Sequence, residues 1–385
     1  MATQKIVTRE FSLNFLAQFA FSSASFVLVP TIPIYLARLE AKGGEIGFLV
    51  GVLNVASLIP RLFIGRALLR IPERRFMIAG AILYIVTSIA YLVTPPFFPF
   101  LMVRILQGIG LAFFSTASFT LMANITSEID RGRIISYYSL SFNFAFAFAP
   151  YFGMLLINQF NFTILFWVCA SFSLCALLTT MRLRKTQGVA METQSIRDQP
   201  LLSREALPPA VMAFTLNVIW GALCAFFPLY ALKQGVSNPG IFFAIMAMTL
   251  ILGRALGSRI LDVYERSRVI IPCLITTIIS LATLTFSTTP IMFVVVAIML
   301  GTGWALLYPS LVIYAIEDSR SAPGPAMGTF TALADLGSGM GPVIMGVILQ
   351  WTSYPIMFAC LTLTGVLNLL YFYFTIGRKA RKDNA

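Results

Sequence analysis

Asp335 is an acidic residue in the middle of a long apolar stretch, and it is the one acid that lies well inside any such stretch of this chain. A carboxylate in an apolar environment can exchange its charged form for its neutral form, so it could take up and release a proton. Two other roles stay open. Asp335 could remain protonated and donate a hydrogen bond to a neighbouring helix, or it could bind a cationic substrate.

A series of glycines follows Asp335 in the segment "GSGMGPVIMG", residues 337–346. Small residues let two helices approach closely, and proline removes a backbone hydrogen bond, so such a segment can pack tightly and bend. Helix packing alone is the alternative. We expect the helices to flex at glycines and prolines, namely Gly153, Pro150, Gly337, Gly341 and Pro342.

Arg104 is a basic residue within another apolar stretch. A charged side chain at the centre of a membrane costs about 2.5–3.5 kcal/mol on insertion scales, so it needs a partner or a water-filled cavity. The alternative is an arginine that bonds to helix carbonyls and fastens one helix to another.

Polar and aromatic residues at similar depth could line a substrate cavity. Asparagine and glutamine also form interhelical hydrogen bonds, and the sequence does not separate the two uses. The residues concerned are Asn14, Gln18, Gln107, Asn143, Asn217, Trp220, Trp304 and Tyr308.

The elements that carry these residues are long apolar runs. The chain is 58% hydrophobic and 11% charged, whereas soluble domains carry about 25% charged residues. Each run can cross a hydrocarbon core of roughly 30 Å as a helix, and the first is too long for a cleaved signal peptide. We predict an all-α polytopic membrane protein with twelve spans, near 10–37, 45–67, 75–94, 97–123, 132–158, 161–182, 208–233, 239–261, 268–288, 290–316, 325–351 and 355–377.

The distribution of basic residues predicts the orientation. With a cytoplasmic N-terminus, only Arg38, Lys42 and Lys233 of the 27 Lys and Arg fall in external segments. Both termini are therefore expected in the cytoplasm. The net charge of +12 is explained by this topology and does not indicate nucleic acid as a partner.

The two halves of the chain resemble each other. A polar linker, 183–207, separates an N-terminal bundle, 1–182, from a C-terminal bundle, 208–385. At an offset of 193 residues, Arg61 falls on Arg254 and Gly108 falls on Gly301. Two six-helix bundles of the same orientation would be parallel repeats about an axis along the membrane normal.

Several chemistries have no support in the sequence. There is no histidine, and the five cysteines show no metal-ligand spacing, so we expect no metal and no cofactor. An intramembrane enzyme would need a nucleophile with a base or a second acid, and no phosphate-binding loop for ATP is present. A transporter is favoured over an enzyme, a receptor or a channel.

Twelve spans in two parallel sixes resemble the major facilitator superfamily over the whole chain, and local motifs support this resemblance. "GRALLRIPERR", residues 65–75, is similar to the family's signature between spans 2 and 3, with Leu69 and Pro72 replacing the motif's aspartate and later glycine. Its second copy, "SRILDVYERSR", keeps the acid as Asp262. "RILQGIGLA", residues 104–112, resembles the span 4 motif of proton-coupled members, and "APYFG", residues 149–153, a shortened antiporter motif.

The resemblance implies a function and roles for residues. It implies proton-coupled antiport that exports a small lipophilic or amphipathic molecule, with Arg104 biasing the protonation of an acid. The depth of Asp335 in its apolar stretch makes this residue the best candidate for the proton carrier. Transport of a polar metabolite, a metal chelate or a lipid is the alternative. A monomer in the bacterial inner membrane is expected. Ion pairs closing a cytoplasmic gate are expected from Arg61, Arg66, Arg254, Arg259 and Asp262.

Overall fold

The computed structural model describes residues 8–68, 70–94, 97–126, 131–184, 203–264, 266–318 and 323–376. These residues form twelve long α-helices, followed by one short π-helical turn at Phe372–Ile376. The helices are α1 Arg9–Arg38, α2 Gly43–Ala67, α3 Glu73–Ala90, α4 Phe98–Asn124, α5 Arg131–Gln159, α6 Phe162–Met181, α7 Leu207–Lys233, α8 Gly240–Val263, α9 Arg266–Phe286, α10 Pro290–Asp318, α11 Pro323–Trp351 and α12 Tyr354–Tyr371. Most of the predicted linker, 183–207, lies outside the described residues.

Eleven of the described helices are long and apolar enough to cross a membrane. The exception is α3, which has only 18 residues and begins with Glu73, Arg74 and Arg75. Its apolar part is therefore shorter than that of the other helices. These helices confirm the prediction of an all-α polytopic membrane protein. Helices suit a membrane because they satisfy their own backbone hydrogen bonds where no water is available.

The chain divides into two compact units. Unit 1 comprises Met1–Leu39 and Val52–Thr193, and unit 2 comprises Glu40–Gly51 and Gln194–Ala385. The start of α2 thus groups with the second unit, whereas the remainder of α2 groups with the first.

The helices pack in the same pairs within each unit. In unit 1, α1 packs against α5 and α6, and α3 packs against α4 and α6. In unit 2, α7 packs against α11 and α12, and α9 packs against α10 and α12. The repeat predicted from the sequence is therefore a repeat of helix packing.

Equivalent glycines make equivalent contacts in the two units. A Cβ on Gly108 would overlap the backbone carbonyl oxygen of Leu53, so α4 and α2 touch through their backbones. A Cβ on Gly301 would lie 2.6 Å from the carbonyl oxygen of Met246, which brings α10 equally close to α8. Leu53 and Met246 differ by the same 193 residues as the two glycines, so the repeat extends to individual backbone contacts.

A tyrosine near the end of the first helix of each unit lies at the centre of an aromatic cluster. The ring centroid of Tyr35 lies 5.0 Å from that of Phe162, and the centroid of Tyr230 lies 5.3 Å from that of Tyr354. Both tyrosines also contact two phenylalanines each, in helices that correspond between the units. These phenylalanines are Phe100 and Phe166 in unit 1 and Phe293 and Phe358 in unit 2.

A cation completes each aromatic cluster. The guanidinium carbon of Arg38 lies 5.1 Å from the centroid of the Phe162 ring, and Nζ of Lys233 lies 5.8 Å from the centroid of the Tyr354 ring. A cation within about 6 Å of a ring face is attracted by the ring's quadrupole. Each unit therefore closes its first helix on its sixth with the same kind of contact.

Candidate functional site

Arg104 belongs to a buried polar cluster between α3 and α4. Its Nη1 donates a hydrogen bond of 3.0 Å to Oε1 of Gln107, which lies one turn further along α4. The hydroxyl of Tyr91 donates to the same oxygen at 2.6 Å. All three side chains are buried, with Arg104 5% exposed. A basic side chain is thus held inside the membrane-spanning part of unit 1.

The same cluster is absent from the second repeat. At the offset of 193 residues, Tyr91, Arg104 and Gln107 correspond to Leu284, Ala297 and Leu300, and all three of these are fully buried. The fold accepts apolar residues at these positions, so stability alone does not require the polar cluster. Tyr91 was missed in the sequence analysis, and comparison of the two repeats is the signal that would have identified it.

Asn14 and Gln18 take part in a second buried network, which joins α1, α4 and α5. Asn14 Nδ2 donates to the carbonyl oxygen of Ser118 at 3.0 Å, and Ser118 Oγ donates back to Asn14 Oδ1 at 2.9 Å. The hydroxyl of Tyr138 bonds to Ser118 Oγ and donates to Gln18 Oε1 at 3.2 Å. Gln18 in turn donates to Ser22 at 2.8 Å. Interhelical hydrogen bonding accounts for these two predicted cavity residues.

Asn143 differs from Asn14 and Gln18. It is partly exposed, and no side-chain hydrogen bond of Asn143 occurs among the described residues. It also holds a particular place in the repeat, because it precedes Pro150 by the same interval as Asp335 precedes Pro342. The asparagine and the aspartate therefore occupy corresponding places in α5 and α11.

The remaining predicted cavity residues lie together on α7 and α10 in unit 2. The ring centroids of Trp220 and Trp304 are 5.8 Å apart, and Tyr308 packs against Phe330 at 5.5 Å. Asn217 donates to the carbonyl oxygen of Ala213 in its own helix at 2.8 Å. Asn217 and the two tryptophans are partly exposed, as is Tyr308. These residues offer aromatic surface with polar edges.

Asp335 is partly exposed on α11, next to the segment where α11 presses against α7. A Cβ on Gly337 would overlap the carbonyl oxygen of Phe214, and a Cβ on Gly341 would overlap that of Val218. The two helices therefore touch through their backbones directly beside the carboxylate, as the small-residue motif predicts.

The other glycines of this segment face the start of α2, within unit 2. A Cβ on Gly51 would overlap the carbonyl oxygen of Gly339, and one on Gly346 would overlap that of Gly43. Gly47 lies equally close to the carbonyl oxygen of Pro342. One stretch of α11 thus contacts the backbone of α7 on one face and the backbone of α2 on another. The series of glycines in the sequence does not reveal this division.

The predicted flexing and gating residues are only partly described. Both Pro150 and Pro342 lie inside continuous helices, and a Cβ on Gly153 would lie 2.6 Å from the carbonyl oxygen of Val27. Arg61 and Arg254 are partly exposed, and their Nε atoms are buried. The side chains of Arg66, Arg259 and Asp262 lie outside the described part of the chain. Flexing and gating stay predictions.

The five cysteines are all free. Within the described ranges, no three residues among His, Cys, Asp and Glu come together in an arrangement that could hold a metal ion.

Comparison with known proteins agrees with this architecture. A family model described as Major Facilitator Superfamily matches residues 15–322 and 239–385. The chain is 23% identical over 355 residues to the Staphylopine export protein of Staphylococcus aureus, covering 88% of this chain and 89% of that protein. It is 22% identical over 378 residues to Multidrug resistance protein 2 of Bacillus subtilis, covering 93% and 92%.

Solved structures show the same fold. The crystal structure of the nucleoside transporter NupG superimposes with a TM-score of 0.75 at 14% identity, covering 95% of this chain and 98% of that one.

Proposed function

Because the chain belongs to the major facilitator superfamily, we propose that this transporter works by proton-coupled antiport and exports a small lipophilic or amphipathic molecule by alternating access. The names of two relatives, a multidrug resistance protein and a staphylopine export protein, support export. Protons and a small molecule are then its partners.

The observation that carries the coupling proposal is the buried cluster of Arg104, Gln107 and Tyr91. Ionisable residues inside membrane-spanning helices are costly and mark ion or substrate pathways. The second repeat packs apolar residues at the same three places, so packing in this fold does not require the arginine.

Asp335 is the proposed proton carrier. It lies on α11 beside the backbone contacts of Gly337 and Gly341 with α7, so a change in its charge would act on a tightly packed helix pair. Arg104 has the proposed role of biasing the protonation of an acid.

The test uses purified protein in liposomes with a pH-sensitive dye inside and an imposed pH gradient. Amphipathic molecules of positive, zero and negative charge are added in turn, and a transported molecule discharges the gradient. Asp335→Asn should lose gradient-driven accumulation and keep substrate counterflow. Glu10→Gln is the matched control, because Glu10 lies in the first turn of α1 and its described contacts are with the exposed Arg184, through an ion pair at 4.0 Å and a hydrogen bond of 3.2 Å from the Arg184 backbone N–H. Unchanged pH-driven transport in Asp335→Asn would eliminate this residue as the carrier.

Export of a polar metabolite is a second candidate, since one relative is named for staphylopine export. A metal chelate or a lipid could be carried on the same scaffold. Substrates of this kind would discharge the gradient in the liposome assay where lipophilic molecules do not.

The proposed setting is a monomer in the bacterial inner membrane with both termini in the cytoplasm. The positive-inside distribution of Lys and Arg supports the orientation.

A further inference from the structure

Arg254 lies on α8 of unit 2, next to the contact of this helix with α10. Its neighbour Gly253 is so close to α10 that a Cβ there would lie 2.7 Å from Cβ of Ala305. Tyr308 lies three residues beyond Ala305, on the same face of α10. Arg254 therefore follows directly on the point where α8 meets the face of α10 that carries Tyr308.

Two buried N–H donors, one on α8 and one on α10, have no hydrogen-bond acceptor among the described residues. Arg254 Nε and Trp304 Nε1 are inaccessible to solvent and make no hydrogen bond, and they are the two such side-chain N–H donors in the described part of unit 2. A buried donor left unpaired is unfavourable, so each one requires an explanation. A bound acceptor would remove both penalties.

Trp304 and Tyr308 are neighbours on α10. Trp304 and Tyr308 are separated by four residues on α10, so their side chains lie on one face of the helix. The ring of Trp304 packs against Trp220 at 5.8 Å, and Trp220 packs edge-on against Phe243 at 6.4 Å. An N–H donor and aromatic rings thus occur together next to the contact between α8 and α10 that Arg254 adjoins.

The second repeat differs from the first at this place. Arg254 corresponds to Arg61, but Trp304 and Tyr308 correspond to Leu111 and Ser115. The arginine is common to both units, whereas the indole donor and the aromatic surface belong to unit 2. A role shared by both arginines, such as topology or gating, does not account for the tryptophans.

We propose that Arg254 and Trp304 bind the carboxylate of an amphipathic organic acid, and that the rings of Trp220 and Trp304 hold its flat apolar body. An arginine can bind a carboxylate side-on through Nε and one Nη, which uses the donor that lacks a partner here. The indole N–H supplies a further donor and the rings supply apolar contact. This inference rests on the proposed transport function and specifies its substrate class.

The experiment measures equilibrium binding of radiolabelled 2-naphthoate to the purified full-length protein in detergent, with neutral 2-naphthamide as competitor. It needs no proton gradient, so its failure is separable from failure of the coupling proposal. The wild type should bind the acid at least tenfold more tightly than the amide. Charge-assisted hydrogen bonds contribute about 1.5–3 kcal/mol, so Arg254→Gln should weaken binding of the acid roughly tenfold to a hundredfold.

Further variants separate charge from geometry. Arg254→Lys keeps the charge and loses the side-on fork, so it should recover only part of the affinity. Trp304→Phe keeps a ring and loses the N–H donor, and it should weaken binding of the acid roughly fivefold with little effect on the amide. Arg61→Gln is the matched control at the equivalent position and should bind the acid like the wild type.

Melting temperatures of all variants in detergent confirm that they are folded. Equal affinity of the wild type for the acid and the amide would overturn the proposal. Unchanged binding in a folded Arg254→Gln variant would overturn it as well, as would equal losses in Arg254→Gln and Arg61→Gln.

Discussion

The hydroxyl of Tyr91 lies 2.6 Å from Oε1 of Gln107, and this single amide oxygen also accepts the hydrogen bond of Arg104. Gln107 is therefore the residue that joins a phenol at the end of α3, just beyond its last residue, to a cation in α4. Its loss would affect both donors at once.

Gln107→Leu should lower the free energy of unfolding by about 2–3 kcal/mol, because it removes one buried acceptor from two donors. Thermal unfolding in detergent measures this effect.

The triple variant Tyr91→Leu, Arg104→Ala and Gln107→Leu installs the residues of the second repeat. Apolar replacement of a whole buried polar group is often neutral or stabilising, so we expect wild-type stability to return while pH-driven transport is lost. Transport at the wild-type rate in the triple variant would show that the cluster has only a structural role.

Gly341→Ala should disturb the contact between α11 and α7. The added Cβ would overlap the carbonyl oxygen of Val218, and overpacking of this kind costs about 1–3 kcal/mol. Gly328→Ala is a control in the same helix, since no atom lies within 4 Å of a Cβ there. The control should be neutral or stabilising by about 0.5–1 kcal/mol. Equal melting temperatures for the two variants would contradict the described contact.

Ser118→Ala should destabilise unit 1 by about 1–3 kcal/mol, because Asn14 and Tyr138 would lose the hydroxyl that joins them. Ser139→Ala is the comparison, since Ser139 Oγ donates only to the carbonyl oxygen of Ile135 in its own helix. A melting temperature for Ser118→Ala no lower than that for Ser139→Ala would argue against the network.

Tyr230→Phe and Tyr35→Phe should differ although the two tyrosines are repeat equivalents. The hydroxyl of Tyr230 donates to the carbonyl oxygen of Ser287 at 2.6 Å, whereas the Tyr35 hydroxyl has no hydrogen-bond partner among the described residues. We expect a loss of about 1 kcal/mol for Tyr230→Phe and a smaller loss for Tyr35→Phe, measured as melting temperatures. The reverse order would contradict this assignment.

Reporter fusions test the orientation. A fluorescent protein that folds only in the cytoplasm should be bright on either chain end, because the positive-inside distribution predicts both ends there. A dark fusion at one end, with normal expression, would mean an odd number of crossings.

Helix positions and the internal repeat were predictable because lipid forces each span into a helix of similar length. Which residues lie on the buried face of each helix was not predictable. Asn14 and Asn143 look alike in the sequence, yet one is fully buried and hydrogen bonded while the other is partly exposed. The difference depends on which neighbour each helix meets, and this is decided by packing across the bundle.

The glycine segment of α11 shows the same limit. Its close packing followed from residue size, but its contacts with α7 on one side and the start of α2 on the other did not. Likewise Tyr91 reaches Arg104 only because α3 and α4 are packed side by side.

The cations at the ends of α1 and α7 have a consequence for the lipid environment. Arg38 and Lys233 lie over aromatic rings at the starts of α6 and α12. Long basic side chains near helix ends and tyrosine rings such as that of Tyr354 favour the level of the lipid headgroups. In each bundle this cation and ring should therefore fix the depth of the helices in the bilayer. Transport in bilayers of graded acyl-chain length should accordingly show an optimum thickness, and replacing Arg38 or Lys233 by an uncharged residue should broaden that optimum.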